Sequence, residues 1–560
     1  MTEHGMQARI QDTEGGVAVS KSVLCFSNNA NSLYYSRHAS ADRERQASKV
    51  FLLDNVRRHL TGDDIARIRR DVRCARRFLL KWQFNEAFEC IDRIDCALGD
   101  LPPSVARHVR AETAVLRAMG AALQDDSLSA LHFALMVLGN NAVSLGARSA
   151  ASAICRFAHW RLRDFDSFHS VSRHRPTITV SKRHAMATVI NLCVEAALEL
   201  EQLRLSAAKR LALDALELSQ TTYKTNDGLS ALPASIVAQV LYEQGSLDEA
   251  EACIRGRLRV INTSGVLECA LRAYRVLSRI AMHRGQHHFA ASILQEAEEL
   301  GERRGWARLI ALSMCERVDL LQRQARIKEA QLSAARLDRY VTCHPSCGTD
   351  ADVRTHRRIA YARLALTSVA TADTVETLRQ LHHESVKNRD LYTALRLAVP
   401  LAASLDLVGE SDKADSLFLR VLSLGCSSGV YQVFVDGGRE IDVLLVRAYD
   451  HAHVRGSAFR ELVPYIGSLV ARKQTHNTRR YVARAAVRSG ESLSVREFDI
   501  LTLVGRGLSN KRIAQALTIA PETVKAHVKR IFCKLKVNTR AEAVWSAGTQ
   551  GLFRTGKSWT

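Results

Sequence analysis

Proline and glycine are scarce in this chain, whose 560 residues contain only eight prolines and 29 glycines. Both residues disfavour helix interiors, proline because it lacks an N–H donor and glycine because folding costs it the most conformational entropy. Long runs of alternating β-branched residues between turn signals are also missing, which argues against a sheet domain. Alanine, leucine and arginine are abundant instead. The sequence therefore predicts an almost wholly helical protein of the all-α class.

Long apolar runs and disulfide patterns are missing as well. No stretch approaches eighteen unbroken apolar residues, and the N-terminus lacks the charged and then apolar layout of a signal peptide. We therefore expect a cytoplasmic protein without a membrane partner. The thirteen cysteines form no framework spacing, so we interpret them as small buried residues. Cys343 to Cys347 is a tight cluster, but no second Cys/His pair lies at zinc-finger spacing, so no metal is expected.

Acidic residues are the minority, with 58 against 79 basic ones and a net charge of +21. The imbalance is concentrated near the C-terminus. Residues 471–553 contain sixteen basic and five acidic residues, and residues 471–490 contain six basic and no acidic ones. Such a segment predicts a polyanionic partner, and nucleic acid fits it better than a membrane surface.

Residues 493–553 contain the signals of four short helices. Ser494 and Glu497 form a capping box for the first, Ser509 caps the second, and Pro521 suits the first turn of the third. The apolar positions of the third helix form one stripe: Val524, Val528, Ile531 and Leu535. Basic residues lie on the opposite face. Two helices joined by a short turn, with the second helix basic on its exposed face, predict a helix-turn-helix.

The same segment resembles the LuxR-type (GerE/NarL-like) DNA-binding domain. The matches lie at 496–501, 507, 509–514, 523–527, 534–537 and 540–543. Three residues depart from the family pattern: Gly505, Arg512 and Ala520, the last of which stands where a serine commonly caps the recognition helix. Without that cap, local helix stability falls by about 0.5–2 kcal/mol.

The resemblance implies base-edge contacts in the major groove from Lys525, Ala526 and Lys529. It implies phosphate contacts, which fix the register of binding, from a second group: Asn510, Lys511, Thr523, His527, Arg530 and Lys534. His527 lies off the line joining the two base-contacting lysines, and packing inside the domain is an equal alternative for it.

The fourth helix, opened by a capping box of Thr539 and Glu542, resembles the surface on which these domains dimerise on DNA. Val544 and Trp545 are therefore expected at the interface of a homodimer on DNA.

A loose pattern recurs at about forty residues in the preceding region. A starting residue is followed by an apolar residue two positions on, an alanine five positions on and an apolar residue nine positions on. The alanines of the pattern are Ala87, Ala208, Ala250, Ala290, Ala330 and Ala414. We predict eight or nine degenerate tetratricopeptide-like hairpins from residue 51 to about 424, each packed only against its neighbours.

The segments 242–251 and 429–445 resemble the helical-repeat half of MalT-like regulators, which implies a signal-sensing region. Those regulators also contain an N-terminal P-loop ATPase, which we do not find in this sequence. The P-loop match at 551–558 follows a helix, and the G-x-S-x-G match at 425–429 lies between helices, so neither has the structural context it needs. No enzyme, catalytic residue or cofactor is expected. An ATPase encoded upstream of Met1, or acting from a partner chain, stays an alternative.

The predicted organisation is a poorly ordered tail (1–50), a helical-repeat sensor or interaction domain (51–465), a basic linker (466–492), a LuxR-type domain (493–553) and a C-terminal tail (554–560). The predicted function is a transcriptional regulator that binds double-stranded DNA. Its repeats sense a small-molecule or protein inducer and control dimerisation or access to DNA. The alternative is a tetratricopeptide-like interaction scaffold with an auxiliary DNA-binding domain.

Overall fold

The computed structural model describes residues 62–140, 143–171, 182–222, 228–343, 350–368, 371–454, 462–473, 495–505, 508–517, 519–535, 537, 539–540 and 542–543. The regular structure in these ranges is helical, without a strand, which confirms the predicted all-α class. The chain divides into two compact units between Ile466 and Gly467, except that Ala281–His287 group with the smaller unit. The predicted tails, 1–50 and 554–560, lie outside the described residues.

Nine helical hairpins follow one another between Gly62 and Ser428 in the described part of the chain. The first four pair α1 (Gly62–Leu80) with α2 (Phe84–Cys96), α3 (Pro103–Leu123) with α4 (Ser127–Leu138), α5 (Leu145–Arg161) with α6 (Phe165–Ser170), and α7 (Lys182–Glu201) with α8 (Leu205–Thr222). In the fifth, α9 (Gly228–Glu243) pairs with α10 (Leu247–Arg255) and a short α11 (Leu258–Ser264) follows.

The last four hairpins pair α12 (Leu267–His283) with α13 (His287–Arg304), α14 (Ala307–Arg323) with α15 (Ile327–Cys343), α16 (Asp350–Ser368) with α17 (Ala372–Lys387), and α18 (Leu391–Leu407) with α19 (Ser411–Ser428). Three helices follow, α20 (Gln432–Val435), α21 (Arg439–Val454) and α22 (residues 462–473). The beginning of the predicted linker, residues 466–473, is therefore helical, and its remainder lies outside the described residues.

The period of the repeat comes from the turn inside each hairpin. Eight of these turns contain a residue with φ between +60° and +88°: Trp82, Asp125, Arg163, Leu203, Gly245, Gly285, Ala325 and Gly409. Around Gly245, two backbone bonds close the turn, Gly245 N to Tyr242 O at 2.9 Å and Ser246 N to Leu241 O at 2.9 Å. A left-handed residue at this point satisfies the last carbonyls of the first helix and lets the second begin two residues later.

The alanine five residues after each turn residue lets the two helices approach closely. All six predicted alanines are completely buried. The structure adds two units that the sequence pattern missed. Ala130 follows Asp125 and is completely buried, while the buried Phe168 takes the same position after Arg163. Polar starting residues hid both units, and in the second a phenylalanine replaces the alanine.

Contacts also join hairpins that are far apart in the sequence. The Trp82 and Trp306 rings meet edge to face at 4.8 Å, and Trp306 Nε1 donates to the Leu123 carbonyl at 3.2 Å. The expectation that each hairpin packs only against its neighbours is therefore wrong for this chain. Long aromatic and arginine side chains make these contacts, and a short-range sequence pattern does not record them.

Arg308 of α14 is the centre of a buried charge network. It lies 2.9 Å from both Asp125 and Glu268 and 3.0 Å from Asp352, which Arg161 contacts at 2.6 Å. Burial alone would raise the pKa of Glu268, but the surrounding arginines outweigh it and lower that pKa to about 2. At Asp125 the effect of burial is larger than that of the arginines and raises the pKa. The network links five hairpins.

No described helix is long and apolar enough to cross a membrane. The described ranges also contain no group of three or more metal-binding side chains. Cys343 is exposed, whereas the rest of the predicted cysteine cluster, residues 344–347, lies outside the described residues.

Candidate nucleic-acid interface

Three helices of the smaller unit form a separate hydrophobic core: α23 (Val495–Gly505), α24 (Asn510–Leu517) and α25 (Pro521–Leu535). The buried residues of this core are Ile500, Leu501, Val504, Ile513, Ala514, Val524, Ile531 and Ala543. Val528 and Leu535 pack against it from α25 and are partly buried. The predicted apolar stripe of the third helix is thus confirmed, and it fixes which face of α25 points outward.

Backbone and side-chain bonds hold the turn between α24 and α25. Ile519 N donates to Ala514 O at 3.0 Å, and Val524 N donates to Ala520 O at 3.2 Å. Arg496 of α23 donates to the Leu517 carbonyl at 2.8 Å, which satisfies one of the free acceptors at the end of α24. A short and well-bonded turn of this kind sets the angle between the two helices of a helix-turn-helix.

The outward face of α25 presents the three residues predicted to contact bases. Lys525, Ala526 and Lys529 are all exposed. The two lysines are four residues apart, so they lie on one face about one turn apart. Lys525 Nζ is 2.8 Å from Glu522 Oε1, and both side chains are more than half exposed. An exposed pair contributes about 1 kcal/mol or less, so it holds Lys525 only weakly.

The residues predicted to contact phosphates fall into two groups. Lys511, Thr523 and Arg530 are exposed. Asn510 and Lys534 already have partners within the domain. Asn510 Oδ1 accepts from Arg540 at 3.1 Å, and Lys534 Nζ lies 2.7 Å from Glu497 Oε2, whose side chain is only 4% exposed.

His527 is half-buried, and its Nδ1 is buried without a hydrogen-bond partner among the described residues. Both alternatives for this residue, packing and a phosphate contact, therefore stay open. Val544 and Trp545 lie outside the described residues, as does Ser494 of the first capping box. The predicted cap of the fourth helix is present, since Glu542 N donates to Thr539 Oγ1 at 3.2 Å.

Two features of this surface were missed in the sequence. Glu497, predicted only as a helix-capping residue, is a buried ion-pair partner of Lys534, and Arg496 bonds the end of α24. The sequence signal for Glu497 was its position three residues after Ser494, a helix-start residue, and next to an apolar stripe. Nothing short-range in the sequence joins it to Lys534, which is 37 residues away.

Residues 111–451, more than half of the chain, match the MalT-like TPR region. The chain belongs to this family. Residues 491–547 match the bacterial regulatory proteins of the luxR family, which confirms the resemblance of this segment.

Individual relatives match different lengths of this MalT-like chain. The HTH-type transcriptional regulator MalT of Vibrio campbellii is 25% identical over 328 residues, which are 56% of this chain and 35% of that protein. The nitrate/nitrite response regulator protein NarL of Escherichia coli is 49% identical over 59 residues, 10% of this chain and 27% of that protein. The chain thus spans about a third of the length of the MalT proteins.

A crystal structure of a Rap protein complexed with competence and sporulation factor also matches, at 12% identity and a TM-score of 0.49. The match covers 64% of this chain and 98% of that one.

Proposed function

We propose that this MalT-like chain is a DNA-binding transcriptional regulator, with α25 as the helix that enters the major groove. The observation that carries the proposal is the exposure of Lys525, Ala526 and Lys529 on the face opposite the buried stripe of α25. Lysine amino groups donate to the guanine acceptors in the major groove, and an alanine methyl packs against the thymine methyl. The luxR-family match and the names of the relatives support the same function.

Phosphate contacts from the surrounding residues fix the register. Lys511, Thr523 and Arg530 are exposed and meet a phosphate without rearrangement. Asn510 and Lys534 share their polar atoms with Arg540 and Glu497, so DNA competes with these internal partners. Each lysine or arginine that neutralises a phosphate releases counterions, and binding therefore weakens as salt rises.

The remaining parts of the proposal concern assembly and regulation. The protein binds DNA as a homodimer through its fourth helix, with Val544 and Trp545 at the interface. The repeat region senses a small molecule or a protein and controls dimerisation or access of α25 to DNA. Action on bacterial DNA places the protein in the cytoplasm, and its role is regulation and not catalysis.

A salt-titrated binding assay on the DNA upstream of the gene tests the first part. Full-length protein is compared with Lys525→Ala/Lys529→Ala and with a control, Lys328→Ala/Lys413→Ala, which removes two exposed lysines of the repeat region. We expect the first variant to lose about a hundredfold or more in specific affinity. The control, which has the same net charge, should bind like the original protein. Equal binding by both variants would reject α25 as the reading helix.

A second comparison tests the regulatory part. The fragment 471–560 should bind the same DNA more tightly than the full chain if the repeats limit access. Equal affinity and an equal oligomeric state for the fragment and the full chain would contradict control by the repeats, while leaving the DNA-binding proposal intact.

A further inference from the structure

Four arginines of the repeat region surround one glutamate. This arginine cluster consists of Arg275 and Arg279 of α12, Arg363 of α16 and Arg396 of α18, and it faces Glu316 of α14. Arg279 occupies both carboxylate oxygens, through Nε at 2.9 Å and a terminal nitrogen at 2.8 Å. Arg363 and Arg396 reach the same carboxylate only at 4.0 and 3.9 Å. One carboxylate therefore faces four guanidinium groups.

Arg275 is the member of the cluster without a carboxylate of its own. Its side chain forms no ion pair with a described residue, and its Nε is buried without a hydrogen-bond partner among those residues. Burial and the neighbouring Arg396 lower its pKa to about 10, so it is still charged at neutral pH. The buried Nε has lost its water without gaining a hydrogen-bond acceptor, which is costly, and a bound anion would supply that acceptor.

The other carboxyl groups near the cluster are already engaged. Glu243 accepts a hydrogen bond from the Tyr392 hydroxyl at 2.5 Å, and burial raises the pKa of its carboxyl group. Asp319 lies 3.1 Å from Arg323, and Asp436 accepts from a buried tyrosine hydroxyl and lies 3.8 Å from Arg279. None of these groups is placed to neutralise the unpaired guanidinium, so the cluster keeps a surplus of positive charge.

The cluster is also within reach of solvent. The side chains of Arg363 and Arg396 are 20% and 16% exposed, and Arg275 is partly buried. All four arginines lie on the first helices of their hairpins, so neighbouring repeats supply them to one place. Guanidinium groups present planar, forked N–H donors that match the oxygens of phosphate and carboxylate groups. A neutral ligand would leave the surplus charge unpaired.

We propose that the arginine cluster binds a small oxyanion with at least two negative charges, supplied by phosphate or carboxylate groups. This proposal rests on the sensing role proposed above. The oxyanion is the inducer, and its negative charge pairs with the guanidinium of Arg275. A ligand held by α12, α16 and α18 together ties the sixth, eighth and ninth hairpins to one another, which gives the repeat region a liganded and an unliganded state.

Calorimetric titration of the full-length protein tests the proposal, with inorganic pyrophosphate and citrate as probes at constant ionic strength. Saturable binding of either probe is expected, and comparing the two separates phosphate from carboxylate recognition. Arg275→Met should weaken binding at least tenfold. The control Arg326→Met removes a guanidinium that is exposed and paired with Glu329, and it should bind like the original protein.

Thermal unfolding without ligand separates a binding role from a structural one. Because Arg275 is unpaired, Arg275→Met should keep or raise the unfolding temperature while it loses the probe. Arg396→Gln provides a second variant in which binding should fall. No saturable binding of either probe, or equal binding by the original protein and both cluster variants, would overturn the site. Since no DNA is present, failure here is distinct from failure of the proposed DNA binding.

Discussion

Charged residues serve opposite purposes in the two regions of this protein. In the repeat region, arginines such as Arg308 and Arg279 are buried and paired with carboxylates from other hairpins. On α25, Lys525, Lys529 and Arg530 are exposed, and Lys525 meets only a neighbouring glutamate. The net charge of +21 does not distinguish these two uses. The difference teaches that a basic chain is a reliable guide to an anionic partner only where the charge reaches the surface.

Burial changes the physical role of an arginine. In the repeat region its guanidinium loses water and must regain hydrogen bonds from the protein, so removing one partner strands the other in a poor environment. On the surface of α25 water replaces a missing partner. The comparison therefore predicts large effects on stability in the first region and small ones in the second.

The largest effect is expected for Arg308→Met, which leaves Asp125, Glu268 and Asp352 without their shared partner. Breaking a buried ion pair in this way costs about 3–5 kcal/mol. Urea unfolding followed by tryptophan fluorescence measures it, because Trp306 is almost fully buried in the same region. The control Arg326→Met removes an exposed arginine and should change stability by about 0.5 kcal/mol or less. Similar losses of unfolding free energy in both variants would contradict the prediction that buried arginines contribute more to stability than exposed ones.

A pH dependence follows from Glu268, whose pKa is lowered to about 2 from its ordinary 4.5. Its contribution to stability is fully present above pH 4.5 and is lost as pH falls toward 2. The contribution amounts to about 3 kcal/mol at neutral pH. Thermal unfolding between pH 6 and pH 3 should show a steeper acid-side loss for the original protein than for Glu268→Gln.

Asp125 acts in the opposite direction in the same measurement, because burial raises its pKa and its contribution is lost as pH rises. Burial, the largest cause of the raised pKa of Asp125, is present in both proteins, so the difference between them reports mainly on Glu268. Parallel curves for Glu268→Gln and the original protein would show that the network does not hold Glu268 ionised.

Local features of both regions could be predicted from the sequence. The apolar stripe of α25 and the small residue after each hairpin turn follow from helical periodicity. Each pattern can be recognised in a stretch of about a dozen residues. The partners of Arg308 lie up to 183 residues away, and no spacing rule encodes them. Arg163 and Phe168 show a second limit, since the hairpin accepts residues other than glycine and alanine at its two marked positions.

Lys534→Met is expected to have an intermediate effect on stability. The result decides whether Lys534 behaves like the buried, paired arginines of the repeat region or like the exposed lysines of α25. Its partner Glu497 is nearly buried, as the acids of the repeat region are, although the pair lies in the smaller unit. Leaving that carboxylate unpaired costs about 1–3 kcal/mol. Amide hydrogen exchange in α23 and α25 of the full-length protein measures the change.

A double-mutant cycle with Glu497→Gln isolates the pair. A coupling energy of about 1 kcal/mol or more between Lys534 and Glu497 marks an internal bridge. A coupling near zero, with loss of DNA affinity in Lys534→Met, would instead place Lys534 with the exposed phosphate contacts.

The smallest effect on stability is expected for Lys529→Ala. The side chain is exposed on α25 and has no ion-pair partner among the described residues. Alanine also has the highest helix propensity, so unfolding free energy should change by about 0.5 kcal/mol or less, measured by the same hydrogen exchange. DNA affinity should fall in the same protein, because the amino group that meets the base edge is gone. A stability loss as large as that of Lys534→Met would mean that Lys529 supports the fold, and the division between buried and exposed charge would no longer separate the two regions.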